Sequence, residues 1–220
     1  MSKINYKYKR IELPYELNGL EWIISFKTMY YHYEILHANY ETKLDETLRG
    51  SKLDEQFPTL EELLENLNQL PTELKEDVRF FGGGLANHNF FFAHLLKKDN
   101  LEKKISSELL AAINKKFGNL DKLKDRLLEN ALKIRGSGWT WLVLGKNNDL
   151  SVINTANQDS PYLFHYRPVV AIDVWEHAYY FDYGADRKGY IKNLINNLLN
   201  WEYISQIHFQ YIILDKITNF

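Results

Sequence analysis

Histidine, aspartate and glutamate carry most of the chain's capacity for chemistry, because its 220 residues include seven histidines and no cysteine. Without cysteine there is no disulfide, thiolate metal site or iron–sulfur cluster, so any metal must be held by His, Asp, Glu or backbone oxygen. Asp173 and His177 have the i, i+4 spacing that puts a carboxylate and an imidazole on one helical face. A carboxylate together with several neutral imidazoles suits Mn, Fe or Zn. On spacing alone, an aspartate cap followed by an ordinary histidine is an equally good interpretation.

Two other segments contain histidines that a metal site could recruit. Glu34 and His37 have the E-x-x-H spacing of di-iron helical bundles, but the chain has no second such motif, which weighs against a di-iron centre. His32 lies just before this motif, and His88 follows three consecutive glycines at 82–84. A lone helical histidine is most often structural, so a metal site needs support from several segments together.

The elements that must position these residues change in type along the chain. Predicted helices cover 16–48, a short segment after a Thr59–Glu62 capping box that Pro71 ends, 72–98, 106–117, 120–134 and 190–199. Predicted strands cover 139–144, 150–153 and 168–172, and residues 97–100 form a plausible linker. The order predicts an α+β fold with a helical first half and a small antiparallel sheet in the second.

The three glycines at 82–84 are costly inside a helix. Each lowers stability by about 1 kcal/mol relative to alanine. We therefore expect a compensating feature, such as the close approach of another backbone.

Composition excludes several classes of function. The net charge is −2 at a sequence pI near 6.4, which gives no general footprint for nucleic acid or an anionic membrane. No apolar run approaches the roughly 18 residues of a membrane span, and no apolar segment follows the basic start, so we expect a cytoplasmic protein. The 15% aromatic content is typical of a large core or of dry walls around a reactive centre.

Taken together, these segments resemble the manganese/iron superoxide dismutase family. They occur in the family's order from Leu13 to about Trp201, and the last is close to a signature. The matching segments are Leu13-Pro14-Tyr15, Thr28-Met29-x-x-His32, Gly83-Gly84-x-Ala86-Asn87-His88, Gly136-Ser137-Gly138-Trp139-x-Trp141-Leu142-Val143, Thr155-Ala156-Asn157-Gln158-Asp159-Ser160-Pro161 and Asp173 to Tyr180.

The resemblance implies two domains with one metal ion between them. An N-terminal helical hairpin domain is expected at residues 1–98 and a C-terminal α/β domain at 99–205. Residues 206–220 extend past the family's usual end, as an added helix or strand packed on the body. The implied metal ligands are His32, His88, Asp173 and His177. The ion is expected to be Mn, because Gly84 with Gln158 resembles the manganese arrangement, and Fe stays possible.

The implied activity is disproportionation of superoxide to dioxygen and hydrogen peroxide, with the metal cycling between M(III) and M(II). Gln158 matches a glutamine just outside the coordination sphere, and Tyr40 matches a tyrosine at the mouth of the substrate channel. Glu176 matches a glutamate that reaches a ligand histidine, here His177, across a homodimer interface, and a tetramer is possible. Tyr180 and Arg187 match gateway positions, and Trp139 and Trp175 match aromatic walls of the pocket.

Leu36 departs from the family pattern, because most members have a histidine at that position. The absence of that histidine predicts altered proton delivery through the gateway. It also supports one alternative, a catalytically impaired or silent relative that keeps the fold and the metal. A second alternative is a metal-free scaffold in which Asp173 and His177 are structural.

Overall fold

Two long helices build the first domain in the computed structural model, which describes residues 7–97 and 104–218. The first hairpin helix is α-helical over Phe26–Met29, π-helical over Tyr30–His37 and α-helical over Ala38–Leu48. The second hairpin helix is α-helical over Thr72–Asp77, π-helical over Val78–Gly82 and α-helical over Gly83–Ala93. Short helices at Leu53–Gln56, Leu60–Glu65 and Leu67–Gln69 connect the two.

The first helix begins ten residues later than predicted. Residues 17–24 form turns and a bend, and Ser25 caps the helix by accepting a hydrogen bond from the Thr28 backbone. Leu20 and Ile24, which contributed to the helical pattern, are fully buried within those turns. The prediction of a helix from Glu16 was therefore wrong, because apolar residues that fill the core in irregular backbone gave the same spacing.

The capping box of Thr59 and Glu62 is confirmed. The Thr59 hydroxyl accepts from the Glu62 backbone, and the Glu62 carboxylate accepts from the Thr59 backbone. The pair opens Leu60–Glu65, whose buried leucines join a second apolar cluster under the hairpin.

A three-stranded antiparallel sheet is the centre of the second domain. Strand β1 is Gly138–Leu144, β2 is Leu150–Ala156 and β3 is Arg167–Asp173, in the order β2-β1-β3. All seven residues of β1 are buried, as expected for a central strand between covered faces. The register pairs Trp139 with both Thr155 and Asp173, so the start of β1 meets the ends of both neighbours.

Helices surround this sheet. They are Ser107–Phe117, Leu120–Lys133, Tyr180–Tyr183, Arg187–Asn193, the π-helical Leu194–Leu198 and Trp201–Thr218, with 3₁₀ turns at Pro161–Phe164 and Glu176–Ala178. The last helix runs without a break through residue 206, where the extension was expected to begin. Most of the predicted linker at 97–100 lies outside the described residues.

One apolar core joins the two domains. The helix Gly83–Ala93 packs on β3, and Leu95 pairs with Leu199 through an isolated antiparallel bridge. Phe91 and Phe92 of the hairpin share a buried cluster with Trp139 and Trp141 of the sheet. The helical hairpin, the α/β domain and the small antiparallel sheet thus confirm the predicted fold class. Among the described residues, no helix combines the length and apolarity that crossing a bilayer requires.

Candidate metal centre

Three imidazoles surround one carboxylate oxygen where the two domains meet. The Asp173 Oδ2 atom lies 3.1 Å from His32 Nε2, 3.3 Å from His177 Nε2 and 3.7 Å from His88 Nε2. One potential ligand atom from each residue lies within 4.8 Å of all the others. The four side chains that the sequence assigned to a metal are therefore brought together, although they are far apart along the chain.

Each ligand residue comes from a separate turn of structure. His32 lies in the π-helical part of the first hairpin helix, and His88 lies in the second hairpin helix. Asp173 is the last residue of β3, and His177 lies in the 3₁₀ turn that follows. The Trp175 backbone N–H donates to Asp173 Oδ1 at 2.9 Å, which turns the other carboxylate oxygen toward the histidines.

The hydrogen bonding of His88 prepares its other nitrogen for a metal. Its Nδ1 lies 2.7 Å from the Gly84 carbonyl oxygen, which can only accept, so Nδ1 carries the hydrogen and Nε2 presents a lone pair. The Nε2 atoms of His32 and His88 are buried and have no hydrogen-bond partner. A buried polar atom left unpaired costs about 1–3 kcal/mol, and a coordinated cation would remove that cost at both atoms. The donor set therefore fits a metal ion.

Electrostatics favour the metal-binding forms of His32, His88 and Asp173. Burial lowers the pKa of His32 and lowers that of His88 well below its ordinary value, so both imidazoles are neutral at physiological pH. Burial by itself would raise the pKa of Asp173, but the neighbouring His177 and His32 imidazoles outweigh it. The net shift is downward, so the carboxylate is anionic. One anionic oxygen with three imidazole nitrogens suits Mn, Fe or Zn.

An amide network borders the cluster. Trp139 Nε1 donates to Gln158 Oε1 at 3.1 Å, and Asn87 Nδ2 donates to the same oxygen at 3.3 Å. Because an indole N–H can only donate, these contacts fix which end of the amide is oxygen. Gln158 Nε2 in turn donates to the Tyr40 hydroxyl at 2.9 Å. The left-handed conformation of Asn157, with φ of 50°, makes the turn that carries Gln158 into the buried interior.

Two glycines allow this network to form. A Cβ on Gly83 would lie 2.1 Å from the Gln158 carbonyl oxygen, and a Cβ on Gly84 would lie 2.5 Å from the Tyr40 ring. The expected close approach of another backbone to the triple glycine is confirmed at Gly83.

Aromatic rings enclose the cluster. The ring centroid of His88 lies 5.1 Å from that of Trp139 and 5.1 Å from that of Tyr40. The Trp175 ring stacks on His177 at 5.4 Å. Asp173, His32 and His88 are at most 1% exposed, whereas the His177 side chain is 19% exposed. The cluster therefore has one partly open side.

Three of the predicted functional residues lie outside this group. Glu176 and Tyr180 are exposed, with Tyr180 at 55%. The Arg187 guanidinium donates to the Tyr179 hydroxyl and to two carbonyl oxygens, of Ile134 and Gly136. Arg187 thus ties helix Arg187–Asn193 to the segment that ends helix Leu120–Lys133.

His37 is a buried neighbour of the cluster to which the sequence assigned no role. Its ring stacks on that of His88 at 5.5 Å, and neither of its nitrogens has a hydrogen-bond partner. Burial, with smaller effects from His32 and Arg10, lowers the pKa of His37 to about 3. Glu34, the other half of its E-x-x-H motif, instead pairs with Arg10 at 3.1 Å. The two halves of the motif therefore diverge, and they do not form a common metal site.

The fold and the site define a two-domain protein in which three histidines and one aspartate, brought together between the domains, could hold one metal ion. Residues 7–96 match the alpha-hairpin domain of iron/manganese superoxide dismutases, and residues 105–207 match their C-terminal domain. The chain is 39% identical over 208 residues to a superoxide dismutase [Mn] of Thermus aquaticus, covering 92% of this chain and 98% of that protein. It is 35% identical over 201 residues to a superoxide dismutase [Mn/Fe] 2 of Staphylococcus aureus, covering 91% and 97% respectively.

The chain belongs to the iron/manganese superoxide dismutase family, an oxidoreductase family. The resemblance found in the sequence motifs is thereby confirmed.

Gly83→Ala and Gly82→Ala form a matched pair that tests the close approach at Gln158. A Cβ on Gly82 meets only side chains at ordinary contact distance, the nearest being Leu64 Cδ2 at 3.4 Å. Gly82→Ala should therefore be neutral or stabilise the fold by up to about 1 kcal/mol, whereas Gly83→Ala should destabilise it by about 1–3 kcal/mol through overpacking. Denaturant unfolding measures both. Equal effects of the two substitutions would contradict the role assigned to Gly83.

Proposed function

We propose that this protein disproportionates superoxide, converting two superoxide ions and two protons into dioxygen and hydrogen peroxide at one Mn ion per chain, with Fe as the alternative metal. Family membership gives the reaction. The observation that carries the proposal for this chain is the convergence of His32, His88, His177 and anionic Asp173, with two buried imidazole nitrogens that a bound cation would satisfy.

A metal ion held by His32, His88, Asp173 and His177 would supply the one-electron redox chemistry. The protein must hold the ion, exclude larger molecules and supply protons. Asp173 contributes negative charge, which favours the oxidised metal, and the neutral imidazoles moderate that preference.

Tyr40 and Gln158 are placed to handle protons beside the metal. The Tyr40 hydroxyl accepts from Gln158, so its own hydrogen is free to be donated elsewhere. Burial raises the pKa of Tyr40, as does the charge of Asp173, and the hydrogen bond from Gln158 offsets these only in part. Tyr40 therefore stays protonated at physiological pH. Only one of the two hydrogens on Gln158 Nε2 is given to Tyr40, which leaves the other for a group at the metal.

We favour Mn because Gln158 supplies the amide beside the site and Gly84 leaves no side chain there. A side chain at position 84 would collide with the Tyr40 ring, so the present packing requires glycine. The relatives include proteins named for Mn alone and for Mn or Fe, which keeps Fe as the alternative.

We further propose a homodimer in which Glu176 of one protomer accepts a hydrogen bond from His177 of the other, with a tetramer as a possible higher assembly. Glu176 is exposed and directly precedes His177, the one partly exposed residue among the four that would bind the metal. Tyr31 and Phe181 are 46% and 54% exposed, and their rings lie 5.5 Å apart. Contiguous exposed rings next to a functional site are typical of an interface. Closure of this face would bury His177 and leave the metal centre without a partly open side.

Reconstitution with Mn and Fe separately tests the activity. Wild-type protein should bind about one ion per chain, and the Mn form should be the more active in a superoxide assay. His88→Ala should reduce metal content below about a tenth of an ion per chain, because the ion would lose one of its four protein ligands. His165→Asn is the control, since His165 is exposed and asparagine tolerates its left-handed backbone. Metal binding without activity would support the silent relative, and no binding would support the metal-free scaffold.

Glu176→Gln tests the proposed interface. The substitution removes the anionic acceptor for His177, so the dimer should dissociate at a protein concentration about tenfold or more above that of the wild type. Sedimentation velocity over a dilution series measures this. Glu129→Gln is the matched control, since Glu129 is exposed on helix Leu120–Lys133, which packs against the sheet. An identical dimer in the Glu176 and Glu129 variants would contradict the pairing, as would a wild type that is monomeric throughout.

Leu36→His tests the proposed effect of the family departure on proton supply. Leucine cannot titrate, so position 36 should contribute no step to the pH profile of wild-type activity near the ordinary histidine pKa of about 6.5. Leu36→His should add such a step, and Leu36→Gln, which is polar but does not titrate, should not. The measurement is kcat as a function of pH for all three proteins. Three coincident profiles would show that position 36 takes no part in proton delivery.

A further inference from the structure

A carboxylate from the second domain caps the helix that carries His32. Asp182 Oδ2 accepts a hydrogen bond from the Ser25 backbone N–H at 2.9 Å and another from the Thr28 hydroxyl at 2.7 Å. Ser25 is the N-cap of the first hairpin helix, and Thr28 is fully buried. A negative charge at this end of a helix is stabilised by the unpaired N–H groups and by the helix dipole.

These bonds connect two ligand-bearing segments by a short route. Thr28 precedes His32 by four residues in the same helix, and Asp182 follows His177 by five. The positions joined are 154 and 157 residues apart in sequence. A shift of one segment against the other would move His32 relative to His177, and both must face the same oxygen of Asp173.

Neighbouring contacts support the same junction. The Tyr183 hydroxyl donates to the Ile23 carbonyl oxygen at 3.0 Å. The Lys27 ammonium lies 4.1 Å from the centroid of the Phe181 ring. The residues on both sides of Asp182 therefore also contact this region, Phe181 at the first turn of the helix and Tyr183 at the turn that precedes it.

We infer that Asp182 is a positioning residue of the metal centre, which holds the helix bearing His32 in register with the segment bearing His177 across the domain boundary. The inference rests on the proposed metal function and deepens it, because Asp182 acts through two hydrogen bonds and does not touch the ligands. The consequence is a metal centre whose geometry depends on an exposed surface carboxylate.

Asp186 offers a matched control. It lies four residues further along, is also exposed, and caps helix Arg187–Asn193 by accepting from the Gly189 N–H at 2.8 Å. This bond is local to one helix and crosses no domain boundary. Asp182→Ala and Asp186→Ala thus each remove a surface cap, but only the first removes a connection between ligand segments.

The experiment compares the Mn(II)-loaded full chain of the wild type and both variants, at a concentration where all share the wild type's oligomeric state. Asp182→Ala should change the Mn(II) electron paramagnetic resonance spectrum and release Mn(II) to a chelator about tenfold faster, the lower range for residues supporting metal ligands. Asp186→Ala should lower the thermal midpoint to a similar extent and leave both readouts unchanged. Asp182→Asn, whose amide oxygen can accept the same two bonds, should restore most of the difference.

Thr28→Val removes one of the two bonds without a change of shape, and it serves if Asp182→Ala does not fold. It should shift the spectrum and the release rate in the same direction, to a smaller degree. Spectra and release rates of the Asp182 and Thr28 variants that match Asp186→Ala would overturn the inference while leaving the proposed function intact. A wild type that holds neither Mn(II) nor Fe would contradict the proposed function, and this inference with it.

Discussion

The buried charge of Asp173 is the constraint on which the rest of this structure depends. A carboxylate with no solvent exposure is strongly unfavourable unless other groups compensate its charge. One of its oxygens is satisfied by a backbone N–H, and the other is surrounded by His32, His88 and His177. Neutral imidazoles alone leave the negative charge uncompensated, whereas a coordinated divalent or trivalent cation neutralises it. The packing of both domains therefore makes sense as a scaffold for one metal ion.

The same site acts as a link between domains. His32 and His88 come from the helical hairpin, and Asp173 and His177 come from the α/β domain. A metal ion that binds all four is bound only when the domains are correctly docked, so its binding free energy adds to that of folding and docking. The shared apolar core brings the domains together, and the ligand geometry then selects one arrangement among those that bury similar area.

Features set by residues close together in sequence could be predicted, and features set by tertiary packing could not. The capping box at Thr59 lies within four residues, so short spacing was enough to identify it. Asp173 and His177 lie within five residues, but spacing left two interpretations of this pair open, and the resemblance of several segments together was needed to assign it to a metal. The π-helical turns over Tyr30–His37 could not be predicted, because they follow from tertiary packing and leave no residue pattern. Extra residues per turn alter which side chains share a face, which is why the burial of His37 against His88 was missed. The start of the first helix was predicted too early for a related reason, because buried apolar residues in the preceding turns have the same spacing as in a helix.

The hydrogen bonds that Gln158 and its neighbours make within the protein determine which of their polar atoms remain available to the proposed metal site. Gln158 is held by Trp139 and Asn87 at its oxygen, which leaves its nitrogen to act on Tyr40 and on the metal side. This arrangement needs a glycine at position 83, because the Gln158 backbone occupies the space of a side chain there. The orientation of Gln158, on the buried side of the site, is therefore fixed by hydrogen bonds to its oxygen and by the packing of its backbone against Gly83. The outer side at His177 is supported by the stacked Trp175 ring but stays 19% exposed, and the proposed second protomer would cover it.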